Sequence, residues 1–153
     1  FLFLWVLIHR QAFLGQLTGT FTPRSVPSEY QILKDFLVLQ EGGFAALWVP
    51  KHQRFGFYTL AQKAISSQDE ILDAPPVEFA VAIATEGGKM LIQSQNIRFF
   101  IVPFDSEGEI FLTDHTYDVT KRIAWEEALN TVPWLEKITV PGADNIAIYN
   151  VLQ

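Results

Sequence analysis

Residue types that commonly do chemistry are sparse in this chain, which has three histidines and no cysteine. Without cysteine there is no disulfide, no thiolate nucleophile and no cysteine-ligated metal. The best candidate for a ligand site is the loop KHQRFGFY after the first predicted strand, where His52, Arg54 and Tyr58 follow Lys51. Open α/β sheets bind ligands outside the carboxyl ends of their strands, so this loop predicts a polar site for an anionic or sugar group. A solvated loop with a snorkelling arginine explains the same residues.

A second group of reactive residue types lies in an acidic segment further along the chain. Asp105, Glu107 and Glu109 could supply paired acid–base carboxylates, as in a small hydrolase, although their spacing is more typical of a solvated acidic turn. Asp114 and His115 are metal-ligand types, but adjacent residues of a strand point to opposite faces and rarely ligate one ion together. No HExxH or His-x-His spacing is present, so the sequence predicts no metal site.

The glycines and the charges also argue against several kinds of site. EGG occurs at 41–43 and at 86–88 without the GxGxxG or GxxxxGK[ST] pattern that cradles phosphate, which favours helix punctuation. The net charge is −6, and the longest basic run is Lys121-Arg122, which disfavours nucleic acid as a partner. The sequence therefore predicts no catalytic residue and no cofactor in this chain.

The elements that would position any site are more clearly marked. Ser28, with Gln31 three residues later, predicts a capped helix that Gly42-Gly43 ends. The apolar runs 44–49 and 97–102 each follow a helix and are closed by Val-Pro. Two such units predict neighbouring parallel strands in one sheet.

The rest of the chain completes an α/β pattern. Segment 59–65 is interpreted as a short helix or an irregular stretch, and 77–85 fits either helix or strand. The predicted fold class is α/β, with a small two-layer or three-layer sheet that is largely parallel and carries a C-terminal antiparallel hairpin. The other predicted elements are helices over 88–95 and 119–130 and hairpin strands over 135–140 and 146–152.

The first ten residues have two interpretations. The run FLFLWVLI is too short to span a bilayer, which takes roughly 20 residues, so it is either a buried segment or the end of a transmembrane helix. Residues 1–10 are assigned to that segment, 11–27 to a linker rich in Gly, Thr, Ser and Pro, and 28–153 to a single α/β domain.

Several short motifs occur in a familiar order. They are Pro27 with Tyr30, LWVP at 47–50, IRFFIVP at 97–103, LEKI at 135–138 and IAIYNV at 146–151. Their order resembles the extracytoplasmic C-terminal domain of multi-pass GT-C-like glycosyltransferases and of YfhO-type bacterial membrane proteins.

The resemblance implies more than the residues do. It favours the membrane-helix interpretation of residues 1–10 and implies an extracytoplasmic domain at the cell membrane. The implied partners are the protein's own membrane-embedded domain and a glycan or lipid-linked sugar. The family's catalytic acid lies between membrane helices outside this chain, so the implied role is non-catalytic, in lipid-linked sugar transfer or cell-envelope glycan assembly. The alternative is a free-standing soluble α/β domain that binds a small ligand or protein near 52–58.

Overall fold

The structure is a computed structural model that describes residues 27–51, 59, 61–104 and 119–152. The predicted membrane-helix end and all of the predicted linker except its last residue lie outside these ranges. The described elements, in chain order, are α1 (Ser28–Val38), β1 (Phe44–Trp48), β2 (Gln62–Ser66), α2 (Ser67–Glu70), α3 (Pro76–Ala84), α4 (Glu86–Ser94), β3 (Ile97–Val102), α5 (Val119–Leu129), β4 (Leu135–Ile138) and β5 (Ala147–Val151).

The described strands form one five-stranded sheet with the order β2-β1-β3-β5-β4. Strand β1 pairs in parallel with both β2 and β3, while β5 pairs antiparallel with both β3 and β4. The predicted parallel neighbours and the predicted C-terminal antiparallel pair are therefore confirmed. None of the helices that the structure describes is both long enough and apolar enough to cross a bilayer.

Helices cover both faces of the sheet, so the fold has three layers. Along β1, Ala45 and Leu47 face α3, α4 and α5, whereas Phe44, Ala46 and Trp48 face α1. This division follows from the alternation of side chains along a strand. All of β1 is buried, as its continuous apolar sequence predicts for a central parallel strand.

The N-cap of helix α1 lies one residue earlier than the sequence predicts. Pro27 occupies the N-cap and its carbonyl accepts a 3.0 Å hydrogen bond from the Tyr30 amide, while no side chain caps the helix. Ser28 is already helical, so the predicted capping box is wrong. The predicted helix itself is confirmed, because Tyr30, Leu33 and Leu37 are buried on one side of it.

The ambiguous segment 77–85 is helical as far as Ala84, and Thr85 separates this helix, α3, from α4. Pro76 begins α3, a position where its missing N–H costs nothing. Thr85 then caps α4 by accepting a 3.0 Å hydrogen bond from the Gly88 amide. The helix predicted from residue 88 thus begins two residues earlier, at Glu86.

The one described strand that the sequence missed is β2, where a helix or irregular segment was expected. Its sequence, QKAIS, has too few apolar residues to show a strand period. Pairing with β1 determines its conformation, and the Gln62 amide nitrogen donates a buried 2.7 Å hydrogen bond to the Leu37 carbonyl at the end of α1. Tertiary contacts therefore override the weak local signal.

Two adjacent glycines in α4 provide a matched test of how tightly α4 packs on α3. A Cβ at position 88 would lie 2.5 Å from the Ala82 carbonyl oxygen and 2.6 Å from the Ile83 Cα, whereas one at position 87 would meet nothing within 4 Å. We expect Gly88→Ala to lower the free energy of unfolding by about 1–3 kcal/mol, because backbone atoms must shift. Gly87→Ala should raise it by up to about 1 kcal/mol. Urea denaturation measures both, and equal effects would contradict this packing.

Candidate functional site

Apart from Lys51, the residues considered above as site candidates lie outside the described ranges. Lys51 is described, and its ammonium lies 4.0 Å from the Asp69 carboxylate. Both side chains are about half exposed, so this ion pair contributes little to stability. Within the described part of the chain, no group of three metal-ligand side chains could hold an ion. The predicted ligand-binding residues His52, Arg54 and Tyr58 lie outside it, so that site stays a prediction. The residues that the sequence disfavours as sites also lie outside it; they are Asp105, Glu107, Glu109, Asp114 and His115.

The described residues instead form a cleft of about 750 Å³ at one end of the central strands. It lies where β1 and β3 begin and β5 ends, away from the carboxyl end of β1. Its polar side chains belong to Glu41, Gln93, Asn96, Arg98 and Asn150. The remaining lining comes from Gly43, Phe44, Ile97, Val151 and Leu152.

Asn96 joins the starts of the two central strands. Its φ of 54° is in the left-handed region, which asparagine tolerates better than most residues, and it turns the chain from α4 into β3. Its carbonyl accepts a 2.9 Å hydrogen bond from the Ala45 amide, and its side-chain nitrogen donates to the Gly43 carbonyl. Hydrogen bonds between Asn96 and the start of β1 therefore hold this part of the cleft lining in place.

A β-bulge presents Arg98 to the cleft. Ala45 of β1 pairs with Ile97 and Ala46 pairs with Phe99, so Arg98 has no partner in β1. Ile97 packs with α3, α4 and α5, whereas Phe99 packs with α1, although residues two apart in a regular strand share a face. The extra residue breaks this alternation, which lets Arg98 leave the core.

The Arg98 guanidinium is held by its neighbours. One terminal nitrogen donates to the Glu41 carbonyl at 3.0 Å, and the other lies 3.4 Å from the Gln40 side-chain oxygen. Its central carbon lies 5.6 Å from the centroid of the Phe44 ring and 5.3 Å from that of Phe99. Such cation–π contacts fix the plane of the group. Among the described residues, no carboxylate forms an ion pair with it.

The cleft has the chemistry of a binding site. Within the described ranges, the side-chain amides of Gln93 and Asn150 make no hydrogen bond to protein, so they keep both donors and acceptors for a ligand. Arg98 adds donors, and the acidic residue Glu41 also lines the cleft. The sequence predicted this stretch only as a core strand. The signal that could have revealed the site is a lone charged residue, Arg98, at the start of an apolar strand.

The comparisons with known proteins bear on the fold. No protein-family model matches the chain, and a search of curated proteins found no match. Among solved structures, the chain is similar to part of the cryo-EM structure of the arabinofuranosyltransferase AftD from Mycobacteria, with a TM-score of 0.55 and 18% sequence identity. The match covers 97% of this chain and 14% of that chain. This fold is also found within AftD.

A second solved structure matches less closely. It is the C-terminal globular domain of an oligosaccharyltransferase from Archaeoglobus fulgidus, with a TM-score of 0.46 and 10% identity. That match covers 84% of this chain and 99% of the other, but the score is too low to support an inference. Neither structure is a YfhO-type protein, so that part of the resemblance stays a prediction.

A second polar cluster, around Glu126, is structural. The Glu126 carboxylate lies 3.2 Å from the Arg122 Nε and 2.7 Å from the Lys137 ammonium. The Tyr149 hydroxyl lies 3.2 Å from the Glu126 carbonyl and 3.0 Å from the Asn130 side-chain oxygen. These contacts join α5 to β4 and β5. Burial, and then the charge of Glu126, raise the pKa of Tyr149 above its ordinary value of 10.0.

The raised pKa of Tyr149 predicts a loss of stability in alkali. Above about pH 10 the tyrosine of the unfolded chain ionises while folded Tyr149 keeps its proton, so the free energy of unfolding should fall as pH rises. Tyr149→Phe removes this pH-dependent part of the free energy of unfolding, although it also loses a hydrogen bond worth about 1 kcal/mol. We expect the variant to lose less stability than the wild type between about pH 9 and 11. Urea denaturation across this range measures it, and parallel pH profiles would contradict the assignment.

Proposed function

We propose that this chain is a non-catalytic extracytoplasmic domain of a multi-pass membrane protein that works in lipid-linked sugar transfer or cell-envelope glycan assembly. The observation that carries the proposal is the fold shared with AftD, which covers 97% of this chain but only 14% of that glycosyltransferase. A domain of this fold can therefore be a small part of a much larger sugar-transferring protein. Its partners in this role are the membrane-embedded part of its own protein and a glycan or lipid-linked sugar.

The sequence supports the same proposal independently of the comparison. The first eight residues are apolar and are followed by His9-Arg10, as at the end of a membrane helix where charged residues meet the headgroups. The motifs behind the family resemblance include LWVP, which covers the end of β1, and IRFFIVP, which covers all of the adjacent strand β3. The resemblance therefore rests on the part of the chain that builds the sheet.

The gene and the topology of its product test this proposal. We expect the reading frame to continue upstream of Phe1 with several membrane-spanning segments, because the apolar run alone is too short to span a bilayer. An alkaline phosphatase reporter fused after Gln153 of the full-length protein should be active, since that enzyme needs an oxidising compartment for its disulfides.

A fluorescent protein that matures only in the cytoplasm, fused at the same residue, is the matched control and should be dark. A start codon directly before Phe1, or a reporter pair that places Gln153 in the cytoplasm, would overturn the proposal. Either result would favour the free-standing soluble domain as the alternative.

A further inference from the structure

We infer that the cleft at the start of β1 and β3 binds a neutral oligosaccharide, through hydrogen bonds to Arg98, Gln93 and Asn150. The choice of sugars among neutral ligands rests on the proposed role in glycan assembly. The cleft itself does not depend on that role, because residues of this chain alone form it.

The first reason is that the arginine is already in place. The bulge directs Arg98 out of the sheet, and two phenylalanine rings together with the Glu41 carbonyl hold its guanidinium. A donor group that is ordered before binding loses little conformational entropy when a ligand arrives. Bulges often redirect a side chain next to a binding site, and they are rare between parallel strands.

The second reason is the chemistry of the amides. Gln93 is exposed near the end of α4, and Asn150 is half-buried near the end of β5. Each amide carries donors and acceptors side by side. A sugar hydroxyl also donates and accepts hydrogen bonds, so both amides of the cleft suit a sugar as ligand.

The third reason is charge. Arg98 shares the cleft with the acidic residue Glu41, and the chain carries a net charge of −6, so an anion that approached the guanidinium would be repelled by this negative charge. A neutral ligand avoids this repulsion and can still accept hydrogen bonds from Arg98. A volume of about 750 Å³ is also within the usual range of roughly 300–1,000 Å³ for ligand sites. The cleft thus favours a neutral, polyhydroxylated ligand over an anion.

The test is a binding experiment on the 153-residue chain. A panel of neutral trisaccharides and tetrasaccharides of pentofuranose, mannose and galactose is titrated to millimolar concentration and followed by the NMR signals of the side-chain amides. We expect at least one sugar to shift the signals of Gln93 and Asn150 in a saturable way. If no sugar shifts them, or if inorganic phosphate does so at lower concentration, the inference is wrong.

Matched variants then locate the site. Gln93→Ala and Asn150→Ala should each weaken binding by about 5- to 10-fold, the usual effect of one lost hydrogen bond. Arg98→Lys should weaken it about 10-fold, because lysine keeps the charge but loses the planar pair of donors. Gln31→Ala, which changes an exposed glutamine of α1 outside the cleft, should bind like the wild type.

Thermal unfolding shows which variants are folded at the temperature of the titration. Gln93→Ala keeps the test decisive if Arg98→Lys is unstable, because an alanine at an exposed helical position is well tolerated. Unchanged affinity in Gln93→Ala and Asn150→Ala would overturn the assigned site. Sugar binding by a chain whose gene encodes no membrane span would refute the proposed function and leave this inference intact. If the gene encodes a membrane protein but this domain binds no sugar, the inference is wrong and the proposed function stands.

Discussion

The parallel pairing of β1 with β3 is the contact on which the rest of the structure depends. Every residue of β1 is buried, as is every residue of β3 except half-buried Arg98. These two strands therefore contribute side chains to both cores, one under α1 and the other under α3, α4 and α5. A one-residue slip of a strand would exchange its two faces, so the register of this pair determines which side chains each core receives.

The bulge at Arg98 reconciles this pairing with a polar cleft. In a regular strand, the side chain after Ile97 would point to the face that α1 covers, and an arginine there would bury a charge at a high cost. The bulge allows Phe99 to take that place in the core instead. Arg98 lies at the rim and packs its guanidinium on Phe99 and Phe44. One irregularity thus serves both the packing of the core and the geometry of the cleft.

The mixed topology explains why a cleft lies at the start of the parallel strands. In a fully parallel sheet, the loops at the carboxyl ends lie together and usually form the site. Here β5 runs antiparallel to β3, so its carboxyl end lies beside the amino ends of β3 and β1. Asn150 is thereby brought next to Gln93 and Arg98. Asn150 is more than fifty residues from the other two along the chain and meets them because of this reversal.

The sequence by itself determined the elements whose signals are local. Helix α1, the central strands β1 and β3 and the C-terminal strand pair follow from apolar periodicity and turn residues, and the structure confirms them. Tertiary structure decided the rest. Segment PVEFAVAIA is too uniformly apolar to show a period, and QKAIS becomes a strand only through its pairing with β1. The cleft was not predicted either, because a bulge depends on the register against a partner strand, and a single segment carries no record of that register.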